Sequence, residues 1–511
     1  MSPSSTSYPA GQPISTATPS LHYLSRHGRW DAGIPPPLRP LVRAYIVGYL
    51  SSVLPKIPAL IGQLLLKDTK QTSSTQNGTR PQHPQKGALL LHSLQRILLE
   101  PLHWQRFPTF CAALVGGSTL LEVPLRRLLD RLAGNLSGVL RTRLSRWISS
   151  FIAAWFSLQI LQAKISPRFM DIVPVKSDSP PGVASKTVRY AGRTLDLTLF
   201  AATQALDVAV GELWSRFQNR RRAAGIPKTF FETAISRLVD PAMFAVSSGL
   251  VMWTWFYAPS RLPRTYDKWI TSAAAVDGRL IEALRRCRSG TLRYGEDTGQ
   301  APLLQGMCAE YNWPLAWGDP AVSVPFPCEM VHMGVGPSCE RHLASRFVRS
   351  FRWAMATYLP LNLLLVARKP NGRALIRALL SATRSSAFLG TFIAMFYYGV
   401  CLARSRIGPR VLGTHTSSRQ AIDGGICVAA GCLLCGWSIL IEGAGRRKDM
   451  ALFVAPRALA TMLPRRYALD KQWRETLVFA FSTAVVFTCF AENKQRVRGM
   501  LGSVLGTVLR S

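Results

Sequence analysis

Acidic residues are scarce in this 511-residue chain: 27 Asp and Glu stand against 62 Lys and Arg, a formal net charge of +35. Such an excess commonly marks a partner of opposite sign, either nucleic acid or an anionic membrane surface. A second shortage argues against nucleic acid. The arginines flank apolar runs instead of lining a groove with interleaved aromatics, and the chain has no ribonucleoprotein, helix-turn-helix or zinc-finger signature. Histidine is sparse as well, at 8 residues. Without a G-x-S-x-G, a P-loop, an H-E-x-x-H or a G-x-G-x-x-G opening a strand–helix unit, no catalytic constellation can be assembled. The 10 cysteines are too few for a disulfide scaffold at this length, and Cys401, Cys427, Cys432, Cys435 and Cys489 lie in apolar runs, where they act as small hydrophobes. No acid precedes Asp31 and no apolar signal core opens the chain, so the Ser/Thr/Pro-rich leader over residues 1–40 is expected to be disordered.

Apolar length is what the chain has, with 48% hydrophobic residues. The organising stretch begins at Ala421: an uncharged run over 424–441, the acid Glu442, a glycine turn, the cluster Arg446, Arg447 and Lys448, then a semi-apolar run to Arg466. About eighteen uncharged residues approach the roughly twenty that cross a bilayer. Gly425 with Ala429, then Gly431 and Gly436, place small residues where helices in lipid approach one another closely. Further apolar segments at 107–123, 147–161, 243–257, 347–366, 387–402, 450–462 and 477–490 predict an all-α, polytopic helical membrane protein with about six to ten membrane helices.

The order of these segments suggests a duplication. A Tyr-Leu helix (Tyr49-Leu50, Tyr358-Leu359) precedes a span opening on Phe-Pro-Thr-Phe at 107–110 and on Phe-Leu-Gly-Thr-Phe at 388–392. A second span, an amphipathic arm and an aromatic third span follow in each half. The chain therefore reads as two internal repeats, residues 41–258 and 325–501, the first interrupted by polar linkers at 67–86 and 164–186. A soluble basic connector at 259–324 joins them, and residues 502–511 form a tail. Transport proteins often work at the interface between such repeats.

Three groups of residues stand out. Glu442, at the end of a span, can pair with Arg446 and Arg447 across the turn and anchor the second-repeat bundle. Asp196 and Asp207 share one face of an amphipathic helix and either line a polar path or face water. Cys328, His332, Cys339 and His342, spaced Cys-x3-His-x6-Cys-x2-His, could hold zinc tetrahedrally or form a folded cap with or without a disulfide, with Cys308 as a rival ligand. Cys432-x-x-Cys435 has redox spacing, but an apolar helix makes packing the better reading.

Pro327-Cys328 with His332 and Pro337-Ser338-Cys339, Tyr358-Leu359-Pro360-Leu361, Ser386-Ala387-Phe388-Leu389, and Ile439-Leu440-Ile441-Glu442 followed by Arg446-Arg447 carry a resemblance. Over about residues 325–501 the chain is similar to the transmembrane protein 135 family of mitochondrial and peroxisomal membranes, with glycine or alanine in place of the usual serine before the arginines. The first half is similar to that family's other repeat through Val47-Gly48-Tyr49-Leu50 and Ile57-Pro58-Ala59. The resemblance implies a non-enzymatic organelle-membrane protein linked to mitochondrial form, peroxisomal function and lipid handling, distantly similar to the import-channel and peroxisomal-membrane-protein superfamily. Organelle-dynamics or import proteins would be its partners beside the lipid bilayer. The resemblance supplies no catalytic residues and no cofactor. Two alternatives stay open: a conduit for a lipid or metabolite using Asp196, Asp207 and Glu442 at the repeat interface, and a membrane-embedded metal or thiol enzyme using Cys328, His332 and Cys339.

Overall fold

Helix is the outcome expected of long apolar runs, because in lipid every backbone polar group must find its partner within the segment. The computed structural model describes residues 30–31, 33–57, 85–132, 135–174, 185–366 and 371–509. The expected leader up to residue 29, the bulk of the linker at 67–86, residues 175–184 of the second linker and the last two residues of the tail lie outside the described residues. The protein is all-α apart from one small sheet, and divides into two units, residues 1–161 with 501–511, and residues 162–500.

In the first unit, α1 (Arg39–Val53) packs on α3 (Phe107–Leu132), with α2 (Gln85–Leu99) before it and α4 (Gly138–Gln162) after it. Arg146 Nε on α4 donates to Glu122 Oε1 on α3 at 2.8 Å, and Arg141 pairs with Asp130 at 2.9 Å across the turn between them. The arginine-rich segment thus ties two antiparallel helices together. Those arginines, with the serines of α4, leave that helix below the apolarity a span needs.

The second unit runs through α5 (Leu195–Ala223), α6 (Phe230–Tyr257), α7 (Arg264–Ala274), α8 (Gly278–Ser289), α9 (Ala301–Glu310), the short α10 (Cys328–Val331), α11 (Cys339–Val366) and α12 (Gly372–Cys401). After a π turn at Leu402–Arg406 come α13 (Ile407–Leu412) and α14 (Thr416–Ala421). A second π turn at Ile422–Ile426 then opens α15 (Cys427–Cys435), which tightens into a 3-10 segment at Gly436–Ile441; α16 (Ala444–Met462), α17 (Gln472–Glu492) and α18 (Gly499–Val508) complete the chain. A reciprocal capping box starts α6: Thr229 Oγ1 accepts from Glu232 N at 3.3 Å while Glu232 Oε2 accepts from Thr229 N at 3.1 Å. Strands β1 (Met170–Pro174), β2 (Ser185–Ala191) and β3 (Tyr467–Ala468) form an antiparallel sheet, with Met170 opposite Arg189 and Tyr190 opposite Ala468. Part of the expected polar linker is therefore strand, paired through β2 to the foot of the last long helix.

Five helical segments are long and apolar enough to cross a membrane: His92–Leu132, Phe230–Tyr257, Gly372–Leu412, Thr416–Ile441 and Leu469–Glu492. That is fewer than the six to ten expected, because charge along α4, α11 and α16 takes those helices out of the set. Small residues set the spacing between spans. A Cβ on Gly436 would stand 2.4 Å from Ala245 Cα of α6, and one on Gly399 would stand 2.7 Å from Gly431 Cα, so α15 and its extension touch α6 and α12 backbone to backbone.

The units divide the chain differently from the expected repeats. Both α5 and α6, expected in the first repeat, lie in the second unit, where α6 packs on α16 and α15, and α5 packs on α17. The expected soluble connector also belongs to this unit's core. Leu280, Leu284, Leu292, Leu304 and Met307 are buried in one cluster with Phe396, Val400, Cys427 and Val428 of the spans. The arginines of α8 concealed an apolar face.

Candidate functional site

The two π turns face one another. A π turn accommodates one extra residue in a helix and re-aims the side chains around it, and here it turns Arg404 and Asp423 inward until both are almost fully buried, at 3% and 1% exposure. Gly425, at φ 153°, takes a backbone conformation that side chains rarely adopt, and a Cβ there would stand 2.7 Å from an Arg288 guanidinium nitrogen. Arg404 donates from Nε to Asp423 Oδ1 at 2.6 Å and from Nη2 to Oδ2 at 2.9 Å, the planar fork geometry that makes arginine–carboxylate pairs strong.

The surroundings complete the pair. Tyr294 Oη donates to Asp423 Oδ2 at 2.5 Å, and Arg404 Nη2 also donates to the Phe326 carbonyl at 3.2 Å with the Phe326 ring 4.4 Å from its Cζ. Burial, then the Asp423 charge, hold the Tyr294 phenol well above its ordinary pKa, which keeps the donor proton in place. Gln420 binds the connector to this corner. Its Nε2 donates to the carbonyls of Cys287 at 2.9 Å and Leu292 at 2.8 Å, and its Oε1 accepts from Tyr294 N at 3.0 Å.

Next to this pair lies the Cys/His cap. His332 is fully buried; its Nδ1 is 2.6 Å from the Gly336 carbonyl and its Nε2 is 3.3 Å from Cys401 Sγ. Ligand atoms of His332, Cys339 and Cys401 all lie within 4.8 Å of one another. His342 does not join them. Its ring stacks on His332 at 4.5 Å and meets Tyr397 edge-on at 5.1 Å, and neither of its nitrogens has a hydrogen-bond partner among the described residues. Burial, then the neighbouring His332 and Arg346, push its pKa down to about 3, so it packs as a neutral ring. Cys328 stands beside Cys339, whereas Cys308 is buried with Leu304 and Met307 in the core. The set expected from sequence thus loses His342 and gains Cys401, which its apolar run had disguised.

The other expected residues occupy separate places. Glu442, 2% exposed, accepts from Ser385 Oγ at 2.8 Å, and Arg446 Nη1 lies 3.6 Å from its other oxygen. Arg446 also donates to Ser385 and Ser381 of α12 at 2.9 and 2.6 Å, while Arg447 donates to the carbonyls of Glu442 at 2.7 Å and Leu440 at 2.6 Å. Asp196, more than half exposed, pairs with Arg465 at 2.8 Å. Asp207 lies farther along α5, its Oδ2 buried with no hydrogen-bond partner among the described residues. Sequence reasoning also missed Glu475, buried in α17, which accepts from Thr194 and Tyr467. A lone acid among apolar residues was the available signal for it.

Five spans, a basic surface and ionic groups buried between helices define a polytopic helical membrane protein. No known protein family, curated protein or solved structure matches the chain.

Proposed function

We propose that this is a non-enzymatic, multi-pass protein of a mitochondrial or peroxisomal membrane that takes a lipid acyl chain into its second unit. The observation that carries this reading is a cavity of about 410 Å³ bounded by α6, α7, α12 and α16. Phe244, Trp269, Phe388, Phe392 and Phe453 supply its wall, and its few polar groups are Ser248 and the hydroxyls of Tyr266 and Tyr358. Ser248 already donates to the Ala245 carbonyl at 3.1 Å. The volume is that of a small-ligand site, about 300–1,000 Å³, and such a wall suits a flexible hydrocarbon. The similarity to the transmembrane protein 135 family supports the organelle and the link to lipid handling. A polar conduit has less support, since Asp196, Asp207 and Glu442 do not line this cavity.

The test is to express the tagged full-length chain, wash membranes with alkaline carbonate, fractionate organelles and identify the lipids that co-purify. The chain is expected to stay with mitochondrial or peroxisomal membranes and to carry acyl lipid. Ala273→Trp, which fills the cavity, should reduce that lipid several-fold, and Leu433→Ala, on an exposed helix surface, should not. Equal lipid in Ala273→Trp and wild type overturns the lipid reading, and residence in another membrane overturns the organelle assignment.

A further inference from the structure

The most specific unassigned chemistry in the molecule is the sulfur and imidazole cluster where the Cys/His cap meets the end of α12. Its ligands come from separate pieces of chain: Cys328 begins α10, His332 follows it, Cys339 begins α11 and Cys401 ends α12. The tautomer of His332 is set by its neighbour. A carbonyl only accepts, so the 2.6 Å contact to Gly336 places the imidazole proton on Nδ1 and leaves the Nε2 lone pair directed at Cys401 Sγ, 3.3 Å away. A carbonyl on the far nitrogen is the outer support that metal-bound histidines almost always have.

We propose that Cys328, His332, Cys339 and Cys401 form a structural site for a soft divalent metal ion of the zinc class. Zinc bonds of about 2.3 Å to sulfur and about 2.0 Å to nitrogen put ligand atoms of a tetrahedron about 3.3–3.8 Å apart. The three core ligand atoms, within 4.8 Å of one another, reach that geometry by small side-chain rotations. Cys328, next to Cys339, supplies the fourth corner. On binding, each thiol gives up its proton to solvent and the imidazole contributes its existing lone pair, so no oxidant or reductant is involved. The ion would staple the cap to the helix end that carries Arg404, one turn from the buried ion pair.

The experiment uses the purified full-length chain, stripped with chelator and titrated with cobalt(II), then competed with zinc(II). One equivalent of cobalt is expected, with thiolate charge-transfer absorption and the visible bands of a tetrahedral ion, both abolished by zinc. Cys401→Ser and His332→Ala should weaken cobalt binding by more than about tenfold. Cys328→Ser should remove about one third of the charge-transfer intensity, as one thiolate of three is lost. Cys308→Ser and Cys435→Ser should change nothing. Where a ligand variant fails to fold, alkylation of the wild-type chain replaces it: zinc should protect Cys339 and Cys401 while leaving Cys111 labelling unchanged. Absence of tetrahedral cobalt bands, zinc protection that does not distinguish these cysteines, or a Cys339–Cys401 disulfide in the purified chain would each overturn the proposal.

Discussion

The span at Thr416–Ile441 has an arginine–carboxylate pair at each end, and the two pairs solve different problems. At its start, Arg404 and Asp423 are 3% and 1% exposed and satisfy each other through two hydrogen bonds. At its end, Glu442 is equally buried, but Arg446 keeps half its surface in solvent and stands 3.6 Å away, with Ser385 making the close contact to the carboxylate. The first pair has no water to fall back on, so each member is indispensable to the other. The second shares its charge with solvent and serines, and loses less when altered.

Stability measurements on the detergent-solubilised chain can break or sharpen this contrast. The largest effect is expected for Asp423→Ala or Arg404→Ala, each costing about 3–5 kcal/mol because a buried charge is left unpaired. Replacing both together, as Arg404→Met with Asp423→Leu, should recover most of that loss; failure to recover would mean that the pair does more than neutralise itself. Tyr294→Phe, which removes one donor to the same carboxylate, is expected to cost about 1–2 kcal/mol in chemical denaturation. At the other end of the span, Glu442→Gln keeps the Ser385 contact and should cost about 1 kcal/mol or less, with a loss that shrinks in high salt. If Glu442→Gln were as damaging as Asp423→Ala, the distinction between the two ends would fail.

The smallest effect has the opposite sign. Burial, with the nearby Asp240 adding to it and Arg498 opposing it, raises the pKa of Asp207 in the folded state. A carboxyl raised on folding binds its proton more tightly when folded, so its contribution to stability falls as pH climbs through that window, and at neutral pH the ionised form is a burden. Asp207→Asn should therefore raise the melting temperature slightly at pH 7. The advantage should vanish below about pH 4, where the unfolded carboxyl is protonated too.

Much of the helical layout was legible because apolar runs over 107–123, 243–257 and 424–441 leave little choice of structure. The small residues Gly431 and Gly436 also marked where helices touch. The ionic site was not legible, and the reason is positional. Asp423 sits one residue before the uncharged run, and Arg404 sits among Arg406 and Arg410, so both read as loop charges. Only the π turns carry them into the interior. The connector was misread for a related reason: the arginines of α8 dominate its composition, while Leu280, Ile281 and Leu284 form the buried side. Cys401 was hidden by its apolar neighbours, since nothing in a linear string says which small hydrophobe ends beside a histidine from another segment.

The extra residue held in each π turn makes this chain intolerant of length changes where most helical proteins forgive them. Deleting a single residue between Leu402 and Arg406 would rotate everything beyond it by about 100° relative to what precedes it. Arg404 would then swing toward the lipid, away from Asp423. Insertions and deletions should accordingly survive in the polar stretches of this protein and be eliminated from these two five-residue segments, whose spacing matters as much as their composition.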